Sequence, residues 1–536
     1  MTDTYDLVIK NGRIVDGAGN KGYQADIGIR AGQIVSIKEN IDGDLTNQII
    51  QADSLVVAPG FIDAHSHDDF FPLIDPACEE KILQGVTTTV IGNCGFSPAP
   101  MAETYAAELR DSLRTISDLK TDPSKLKSFD SFLKSLAAAN PGINIVPLLG
   151  HGTLRISVMG VSKRPATGSE MKQMKNRISE AMEAGAYGLS TGLSYVPGEY
   201  ATTEEIVELA KVVAGYGGIY TSHIRSERDG VVEAVKEAVT VGESAKIPVQ
   251  ISHLKVAGAN NWGRSKEIID IIENAINRGV ELTCDVYPYN ASNTSLTSLL
   301  PPDLFADGYQ AFSKRLKEIA FRTEIIQEIE QEDGKQWENK IKGTGFDNII
   351  INGSTNFQDY NGCSISSIAN REEKNPYDVI FDIIMEEGNK VGVILFAMSE
   401  QDICRIMQTP FTMIGSDGGP KVGQTFFHPR FTGTFPRVLG KYVREEKILN
   451  IEEAICKMTS LPAKTFRLRA KGLIRGGFDA DLVIFDPLKI KDRSTFKHPS
   501  LKPEGIEYVI VNGKVAVKHG ELTGCLEGKV LRLSIS

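Results

Sequence analysis

Side chains that could bind a metal ion recur along the first half of this chain. His65 and His67 stand two residues apart in the run Asp-Ala-His-Ser-His. Side chains alternate along a strand, so two imidazoles at this spacing would point to the same side. By itself such a pair is more often the polar end of a strand than half of a metal site. Cys94 adds weight, because it lies in Gly-Asn-Cys-Gly-Phe, where the glycines allow a sharp turn that leaves the sulphur accessible.

Sulphur and imidazole nitrogen are ligands that zinc accepts, and a catalytic zinc keeps one position open for water. Further histidines close apolar runs in the same way, namely His151, His223 and His253. A single histidine of this kind is more often a hydrogen-bonded core residue, but together they predict a zinc centre. His428 follows the last such run, whereas His498 and His519 are interpreted as surface residues.

Asp417 is the acidic residue best placed to act in such a centre. It lies in Ile-Gly-Ser-Asp-Gly-Gly, at the end of the last apolar run. A carboxylate beside metal-bound water can take a proton as a general base, which is the role we predict. The alternative is an aspartate that caps the next loop, a common use of this residue.

Eight short apolar runs could carry these residues as strands. They cover residues 61–67, 86–93, 143–151, 186–193, 218–225, 248–255, 281–289 and 411–417. Stretches with helical periodicity lie between successive runs, among them 204–213, 230–245 and 265–278. Strands that alternate with helices predict an α/β protein with a TIM-like (β/α)8 barrel, in which reactive groups gather at the C-terminal strand ends.

Two further units are predicted outside the barrel. Short alternating runs at both chain ends predict a small β-sandwich made of residues 1–58 and 468–536, which leaves 59–467 for the barrel. Residues 290–410 separate the seventh and eighth runs, far more than a βα connection needs. We therefore expect an inserted subdomain near the barrel mouth, with a helical and solvated charged part at 312–342.

The chain totals exclude several classes of partner. The 536 residues carry a net charge of -10 with a pI near 5.5, which argues against nucleic-acid binding. No apolar run is long enough to span a membrane, and the N-terminus lacks an apolar signal segment. The seven cysteines form no Cys-x-x-Cys pair, which predicts a reduced, cytoplasmic protein. A small-molecule substrate is the expected partner, and the oligomeric state stays open.

Several motifs resemble the amidohydrolase superfamily, among them Lys-Asn-Gly-Arg-Ile-Val-Asp-Gly at 10–17 and the stretch 459–483. Within that superfamily the chain resembles the D-aminoacylase, or N-acyl-D-amino-acid deacylase, group. The motifs that carry this resemblance are Gly-Asn-Cys-Gly-Phe-Ser-Pro at 92–98, Ser-His-Ile-Arg-Ser-Glu at 222–227, Ser-His-Leu-Lys at 252–255, Tyr-Pro-Tyr at 287–289 and His-Pro-Arg at 428–430. The resemblance spans nearly the whole chain.

The resemblance implies how the metal ligands are divided. Cys94, His223 and His253 would hold one tightly bound, catalytic Zn²⁺. His65 and His67 would form a second, weaker site that could share Cys94. Many relatives in the superfamily instead bridge two metals with a carboxylated lysine at the end of strand four, but the run 185–193 contains no lysine.

The resemblance also implies which residues act on the substrate. Asp417 would be the catalytic base, and Lys255, Tyr287 and Arg430 would bind the substrate's α-carboxylate. Lys255 lies two residues beyond His253, so it would share that strand face. The alternative for Lys255 and Arg430 is that they are ordinary surface charges. His151 is expected to support the ligands and not to be one of them.

The implied activity is hydrolysis of an N-acyl-D-amino acid to a carboxylate and a free D-amino acid. Relatives that prefer acidic D-amino acids resemble one another in having an extra arginine shortly after the Tyr-Pro-Tyr motif, whereas residues 290–302 here contain no basic side chain. The resemblance therefore implies a neutral or apolar substrate side chain. A cyclic-amide hydrolase or a dipeptidase on the same scaffold stays open, because a fold does not fix a substrate. A non-catalytic barrel protein stays open as well. The extra length around 303–350 leaves the side-chain pocket undetermined.

Overall fold

A computed structural model describes residues 4–46, 48–114, 122–334, 336–419 and 426–534. In chain order its strands are β1 (Leu7–Ile14), β2 (Tyr23–Arg30), β3 (Gln33–Lys38), β4 (Ile49–Gln51), β5 (Val56–Pro59), β6 (Phe61–Asp63), β7 (Val86–Ile91), β8 (Asn144–Pro147), β9 (Leu149–Gly150), β10 (Gly188–Gly192), β11 (Ile219–His223), β12 (Val249–Ile251), β13 (Leu282–Val286), β14 (Ser292–Ser295), β15 (Ile349–Asn352), β16 (Gly392–Leu395), β17 (Thr412–Ile414), β18 (Leu482–Phe485), β19 (Ile506–Val511), β20 (Lys514–Lys518) and β21 (Glu521–Leu522).

The α-helices lie mainly between the strands of the middle of the chain. They are α1 (Phe71–Ile74), α2 (Glu79–Ile82), α3 (Ala106–Leu113), α4 (Phe129–Ala138), α5 (His151–Met159), α6 (Gly168–Glu183), α7 (Thr203–Gly215), α8 (Val231–Ala245), α9 (Ser265–Asn277), α10 (Tyr309–Arg315), α11 (Ile319–Gln331), α12 (Ile365–Glu372), α13 (Pro376–Glu387), α14 (Glu400–Gln408), α15 (Arg430–Arg437), α16 (Ile451–Met458) and α17 (Ser460–Thr465). A π-helical segment, Val438–Glu445, continues α15. The predicted helices at 204–213, 230–245 and 265–278 are confirmed as α7, α8 and α9.

Eight parallel strand positions close into a barrel, as predicted. β6, β7 and β8 pair in parallel, and β9, β10, β11, β12, β13 and β17 form a second parallel run. β8 and β9 are one strand position interrupted at Leu148, whose N–H bonds Ile91 O at 3.0 Å. The other seam joins the segments after β6 and β17, where the N–H of Asp417 bonds His65 O at 2.8 Å. The barrel strands are buried on both faces, which explains their continuously apolar sequences.

Strands from both chain ends share one nine-stranded sheet. Its order is β21-β20-β19-β18-β5-β1-β2-β3, with β4 paired to β1. One core joins side chains of the first strands, such as Leu7 and Ile27, to Leu482 and Ile510 near the other end. The two chain ends therefore meet in one β-structure, which is the β-sandwich part of the predicted fold class. The tail also contacts the barrel, because Ile145 of β8 bonds the backbone on both sides of Val530.

The interval between β13 and β17 holds the inserted unit. A three-stranded antiparallel sheet, in the order β14-β16-β15, and the helices α10 to α13 make up most of it. The prediction for 312–342 is only partly right. Helices α10 and α11 cover its first part, but in the described residues after Gln331 the chain is irregular, and Trp337, Glu338 and Lys340 are buried. Among the described residues, no helix is long and apolar enough to span a membrane.

Candidate active site

The four histidines and one cysteine proposed as zinc ligands lie where barrel strands end. They belong to the C-terminal ends of β6 (His65 and His67), β7 (Cys94), β11 (His223) and β12 (His253). Parallel strands end on the same side of the barrel, so these side chains converge. β6 already ends at Asp63, so strand alternation does not align the first two histidines. Contacts with the segment after β17 hold this backbone instead, including a 2.7 Å bond from the N–H of His67 to Gly418 O.

Cys94, His65, His253 and Asp417 form one compact buried group. Sγ of Cys94 lies 3.4 Å from Nε2 of His65 and 3.3 Å from Nε2 of His253. Oδ1 of Asp417 lies 3.6 Å from Nε2 of His65 and 3.2 Å from Nε2 of His67. One ligand atom from each member of the group lies within 4.8 Å of all the others. This spacing suits donors that each stand about 2.0–2.3 Å from a shared zinc ion.

His223 belongs to a second group, with His253 and Glu227, whose ligand atoms also lie within 4.8 Å of one another. The rings of His223 and His253 are 4.5 Å apart, and Nε2 of His223 is 2.8 Å from Oγ of Ser194. His253 is therefore common to both groups. The structure sets Cys94 beside His65 in the first group, whereas the sequence resemblance pairs Cys94 with His223.

Glu227 is a functional candidate that the sequence analysis did not single out, although it ends the Ser-His-Ile-Arg-Ser-Glu motif. Its Oε1 lies 3.0 Å from Nδ1 of His253 and also accepts a hydrogen bond from Nζ of Lys255. Burial raises the pKa of Glu227, but Lys255 and the two histidines outweigh it and hold the pKa well below the usual value. A carboxylate that accepts from the second nitrogen of a ligand histidine fixes the ring's orientation and increases its basicity.

Three residues of the site have left-handed backbone conformations. The φ angles are 53° at Cys94, 36° at His253 and 47° at Asp417. Each of these residues follows the end of a barrel strand, and a residue other than glycine in this region costs about 1–3 kcal/mol. The surrounding barrel supports that strain at three points of one group, which indicates that the side-chain positions matter for function.

Burial and mutual contacts shift the acidities of the metal-binding side chains. Burial raises the pKa of the Cys94 thiol to about 11. Burial lowers the pKa of His67, but hydrogen bonds with Asp417 and Cys94 outweigh it and raise the pKa to about 9. His223 responds mainly to burial, which lowers its pKa to about 4. In Asp417, burial raises the pKa, but Arg430 and the surrounding histidines hold it well below the usual range.

The donor set fits a zinc ion. A thiol, imidazoles and a carboxylate converge at Cys94, His65, His253 and Asp417, which are at most 7% exposed. These are ligand types that zinc binds, and a buried carboxylate needs a compensating cation. A bridging carboxylated lysine does not fit, because β10, the fourth barrel strand, reads Gly-Leu-Ser-Thr-Gly.

The three residues predicted to bind a substrate carboxylate lie together. Nζ of Lys255 is 5.5 Å from the ring centroid of Tyr287, and Cζ of Arg430 is 4.7 Å from the same centroid. None of the three is more than 5% exposed, so the alternative of ordinary surface charges is wrong. Both cations are paired with buried carboxylates, Lys255 with Glu227 and Arg430 with Asp417. Each has several N–H donors, so each could bind a substrate carboxylate as well.

The remaining barrel histidines have other roles. Nε2 of His151 lies 3.0 Å from Oε1 of Glu205, which also pairs with Arg155. Within the described part of the chain, His151 therefore bonds to the Glu205–Arg155 ion pair and to none of the proposed metal ligands. His428 is held by both nitrogens: Nε2 lies 2.9 Å from Ala291 O, and Nδ1 accepts from the N–H of Arg430. It anchors the loop that carries Arg430.

A cavity of about 260 Å³ opens above the metal groups. Its wall includes Cys94, His223, His253 and Asp417, together with all three carboxylate-binding candidates. The inserted unit supplies the opposite wall, through the segment 292–300 and through Glu338 and Lys340. The proposed metal centre, carboxylate-binding residues and insertion therefore face one space.

A closed parallel barrel with cysteine, histidine and aspartate donors at its C-terminal strand ends defines a metal-dependent hydrolase. Comparison with known proteins agrees with this class. The chain matches the model described as "Amidohydrolase family" over residues 48–265 and 396–517. It belongs to the amidohydrolase family and, within it, to the D-aminoacylase group.

Three relatives illustrate the match. A D-aminoacylase from Alcaligenes xylosoxydans xylosoxydans is 36% identical over 98% of this chain and 97% of its own length. The crystal structure of an N-acyl-D-glutamate deacylase from Bordetella bronchiseptica, with zinc and a phosphonate inhibitor, is 33% identical with a TM-score of 0.83, over 99% of this chain and 100% of that one. A D-aminoacylase structure described with a binuclear metal centre, one-metal activation and second-metal attenuation is 34% identical with a TM-score of 0.83, over 98% and 100%.

Proposed function

We propose that this protein hydrolyses N-acyl-D-amino acids to a carboxylate and a free D-amino acid, with Zn²⁺ as cofactor. The observation that carries the proposal is that one cavity brings the cysteine–histidine–aspartate group together with Lys255, Tyr287 and Arg430. A substrate with a free α-carboxylate next to its amide bond would engage both sets at once. The full-length similarity to D-aminoacylase adds independent support.

The chain's own residues supply binding and proton transfer. Bound Zn²⁺ would polarise the amide carbonyl and lower the pKa of water from about 15.7 toward about 7. Asp417 would take the proton at Oδ1, which faces His65 and His67, since its Oδ2 is bound by Arg430. The leaving amine needs a proton, so the same carboxyl group would return it to the nitrogen.

Selectivity for the D-enantiomer would follow from fixing the α-carboxylate. Lys255, Tyr287 and Arg430 would hold that group from several directions, while the amide carbonyl lies at the metal group. With these two groups fixed, exchanging the substituents at the α-carbon would direct the side chain into the wall instead of the cavity. An L-enantiomer held at the same two groups would therefore be bound in the wrong orientation for reaction.

We infer a preference for neutral or apolar substrate side chains. The part of the insertion that lines the cavity at 292–300 contributes hydroxyl groups, Asn293 and Leu300, and carries no charged side chain. A carboxylate on the substrate side chain would lose its water there without gaining a cation. The relative from Bordetella bronchiseptica is named for N-acyl-D-glutamate, so the preference has to be tested on this chain.

We infer one tight metal site and a second, weaker one, with the division of ligands that the resemblance implies and not the one in the two groups of neighbouring donor atoms. His253 belongs to both groups, and both lie at the same cavity. A D-aminoacylase relative is described with one-metal activation and second-metal attenuation, which is consistent with two unequal sites. The residues proposed to divide between them are Cys94, His223 and His253 for the tight site and His65 and His67 for the weaker one.

The main alternatives have less support. Cyclic-amide hydrolases of this fold with a carboxylated lysine are disfavoured, because β10 contains none. A non-catalytic protein is disfavoured because the predicted ligands, base and carboxylate-binding residues all converge. The cytoplasm stays our proposal for the protein's location, supported by seven cysteines that are all free thiols.

A substrate panel tests this proposal. Purified zinc-loaded protein is assayed with N-acetyl derivatives of the D- and L-forms of leucine, methionine, phenylalanine and glutamate, with free amine as the readout. We expect hydrolysis of the D-forms, led by the apolar side chains, and loss of turnover in Asp417→Asn. Hydrolysis of a hydantoin or of dipeptides at a higher kcat/KM would assign the protein to the alternative enzymes. Zinc-loaded protein with no amide hydrolysis would favour the non-catalytic alternative.

A further inference from the structure

An irregular segment of the insertion, residues 336–344, reaches down to the active-site cavity. Arg228, in the loop after β11, holds it by donating from Nη1 to Lys342 O at 3.0 Å and from Nη2 to Oγ1 of Thr344 at 2.8 Å. The N–H of Ala259 donates to Gly343 O at 3.0 Å. The segment has no regular secondary structure, so these contacts with the barrel loops help to fix its position, together with hydrogen bonds from Asn339 and Lys342 to the backbone of Ile329 and Glu332.

Glu338 and Lys340 form a buried ion pair within this segment. Nζ of Lys340 lies 2.9 Å from Oε2 of Glu338, and the two side chains are 8% and 4% exposed. Oε1 of Glu338 accepts a hydrogen bond of 2.7 Å from the N–H of Glu227, the residue that bonds His253 and Lys255. Burial raises the pKa of Glu338, but Lys340 and Arg228 outweigh it and hold the pKa below the usual value. Glu338 is therefore a carboxylate at neutral pH.

The pair lies in the cavity wall with Tyr195, beside the metal group that contains His223. Nζ of Lys340 lies 5.8 Å from the ring centroid of Tyr195, and that ring is 4.7 Å from the ring of His223. His223 in turn lies 4.5 Å from His253, whose Nδ1 is 2.8 Å from Nζ of Lys255. A substrate held at Lys255 and reacting at the metal groups would extend its side chain toward Tyr195 and Lys340.

We propose that Glu338 is a specificity-determining residue: by pairing with Lys340 it cancels the charge of the cation that stands beside Tyr195 in the cavity wall, so that uncharged D-amino acids are preferred over acidic ones. This inference rests on the proposed deacylase function and deepens it. It resolves how a cavity with a lysine in its wall can still favour neutral side chains.

The physical reason is a balance of charge at short range. Nζ of Lys340 and Oε2 of Glu338 are only 2.9 Å apart, so a substrate carboxylate that comes near one comes near the other, and attraction and repulsion would largely cancel. It would still lose its hydration, which makes binding unfavourable overall. A site can reject a ligand in this way by presenting a like charge to it. Glu199 also lines the cavity, but burial raises its pKa to about 7, so it neutralises Lys340 less effectively at neutral pH.

Replacing Glu338 with glutamine should leave the positive charge of Lys340 without its compensating carboxylate. Glu338→Gln keeps an oxygen that can accept from the N–H of Glu227 but removes the negative charge. An ammonium group has three N–H donors, so Lys340 could then bind a substrate carboxylate. We expect the ratio of kcat/KM for N-acetyl-D-glutamate to that for N-acetyl-D-glutamine, which has the same shape, to rise about tenfold or more.

Three further variants isolate the cause. Glu338→Gln combined with Lys340→Met should lose the gain, because the exposed cation is absent. Lys340→Met alone should lower the glutamate-to-glutamine ratio, because Glu338 would then repel a substrate carboxylate without a compensating cation. This measurement tests the inference even if Glu338→Gln does not fold. Glu324→Gln is the matched control on the same inserted unit, since Glu324 is exposed on α11 away from the cavity.

The outcomes separate this inference from the proposed function. A wild-type protein that hydrolyses N-acetyl-D-leucine, with a glutamate-to-glutamine ratio that neither Glu338→Gln nor Lys340→Met changes, overturns the inference alone. A gain that persists in the double variant overturns it too, because Lys340 would not be its source. A zinc-loaded wild type that hydrolyses none of these substrates overturns the proposed function and this inference together.

Discussion

Arg430 and Asp417 form a buried salt bridge, with Nη1 of the guanidinium 2.9 Å from Oδ2 of the carboxylate. The other oxygen, Oδ1, faces Nε2 of His65 and of His67. One cation thus contacts the proposed base and also belongs to the proposed carboxylate-binding set. If both proposed roles hold, substrate binding and proton transfer share Arg430.

Replacing Arg430 should change both steps. Arg430→Ala removes a bond to the α-carboxylate, so we expect KM for N-acetyl-D-leucine to rise about tenfold or more. It also removes the main cation that holds down the pKa of Asp417. A base must be ionised to act, so the acid limb of the kcat/KM profile should move to higher pH. Arg430→Lys is the matched variant. Its ammonium group should recover part of the lost substrate binding and part of the lowering of the Asp417 pKa. An unchanged KM would contradict the carboxylate-binding role.

Asp417→Asn should abolish turnover without abolishing metal binding. The amide cannot accept the water's proton, and loss of a general base typically lowers kcat by about 10²–10⁴-fold. Cys94, His65 and His253 would still present sulphur and nitrogen donors at their present spacing. Elemental analysis for zinc and an amine-release assay on the same sample measure both quantities. Near-normal kcat would refute the assignment, and loss of all zinc would make Asp417 a necessary ligand.

Single ligand substitutions should remove different amounts of zinc. His253 is in both metal groups, so His253→Ala should lose the bound metal almost entirely. Cys94→Ala or His223→Ala should lose the tight metal, and His65→Ala only the weaker one. Zinc stoichiometry after dialysis is the measurement, with His428→Asn as a control because that histidine bonds backbone groups instead. Equal zinc loss in the Cys94, His223 and His65 variants would refute this ranking.

The barrel could be predicted from sequence because its strands have a local signal. Each is a short, buried run, and several are followed by a helix with an apolar stripe, such as β10 by α7 and β11 by α8. The sequence predicts that the five proposed ligands and Asp417 lie at one end of the barrel, because each lies at or just after the end of such a run. The observed strands are shorter than the runs, since after β6 and β12 the chain leaves the ladder before His65 and His253.

The insertion's part in the site could not be predicted, because no local pattern carries it. The bond from the N–H of Glu227 to Glu338 joins residues 111 positions apart. The segment around Lys340 is rich in charge, which in sequence indicates a solvated surface, yet ion pairing and backbone bonds bury it. The partner of His151 could not be predicted for a similar reason, because Glu205 comes from a helix 54 positions later.

Lys81 should be essential for the stability of the barrel beneath the metal groups. Its Nζ lies 2.7 Å from Oδ2 of Asp63, 3.3 Å from Oδ2 of Asp68 and 2.7 Å from Oγ of Ser416, and it is 1% exposed. Lys81→Met would leave two buried carboxylates without their cation, which destabilises a protein by about 3–5 kcal/mol. The melting temperature of the zinc-loaded protein should fall clearly.

Lys134→Met is the matched control for that experiment. Lys134 pairs with Asp130 on α4, but its side chain is 71% exposed. A surface pair of this kind contributes about 0.3–0.5 kcal/mol, so the melting temperature should hardly change. Equal shifts in the two variants would show that the Lys81 network contributes no more than a surface ion pair.

Glu205 should make stability depend on pH below neutrality. Burial raises its pKa, but His151 and Arg155 outweigh burial and lower it to about 2, from an ordinary value of 4.5. A carboxyl group whose pKa is depressed by folding stabilises the protein above its unfolded pKa and loses that contribution as the pH falls through the folded pKa. The shift corresponds to stabilisation on the order of 3 kcal/mol at pH 7. Glu205→Gln should therefore be clearly less stable than the wild type at pH 7.

The difference in unfolding free energy between the wild type and Glu205→Gln should shrink as the pH falls below about 4.5, because the wild-type carboxyl group begins to lose its stabilising contribution there. Denaturant unfolding of both proteins between pH 7 and pH 3.5 measures it. Glu208→Gln is the control, because Glu208 lies one turn further along α7 and its pKa is also lowered to about 2, by the exposed Lys175 and Lys211. Water screens that exposed cluster, so its substitution should have little effect at any pH. Equal losses of unfolding free energy in Glu205→Gln and Glu208→Gln at pH 7 would show that burial does not strengthen the interactions within the His151–Glu205–Arg155 cluster.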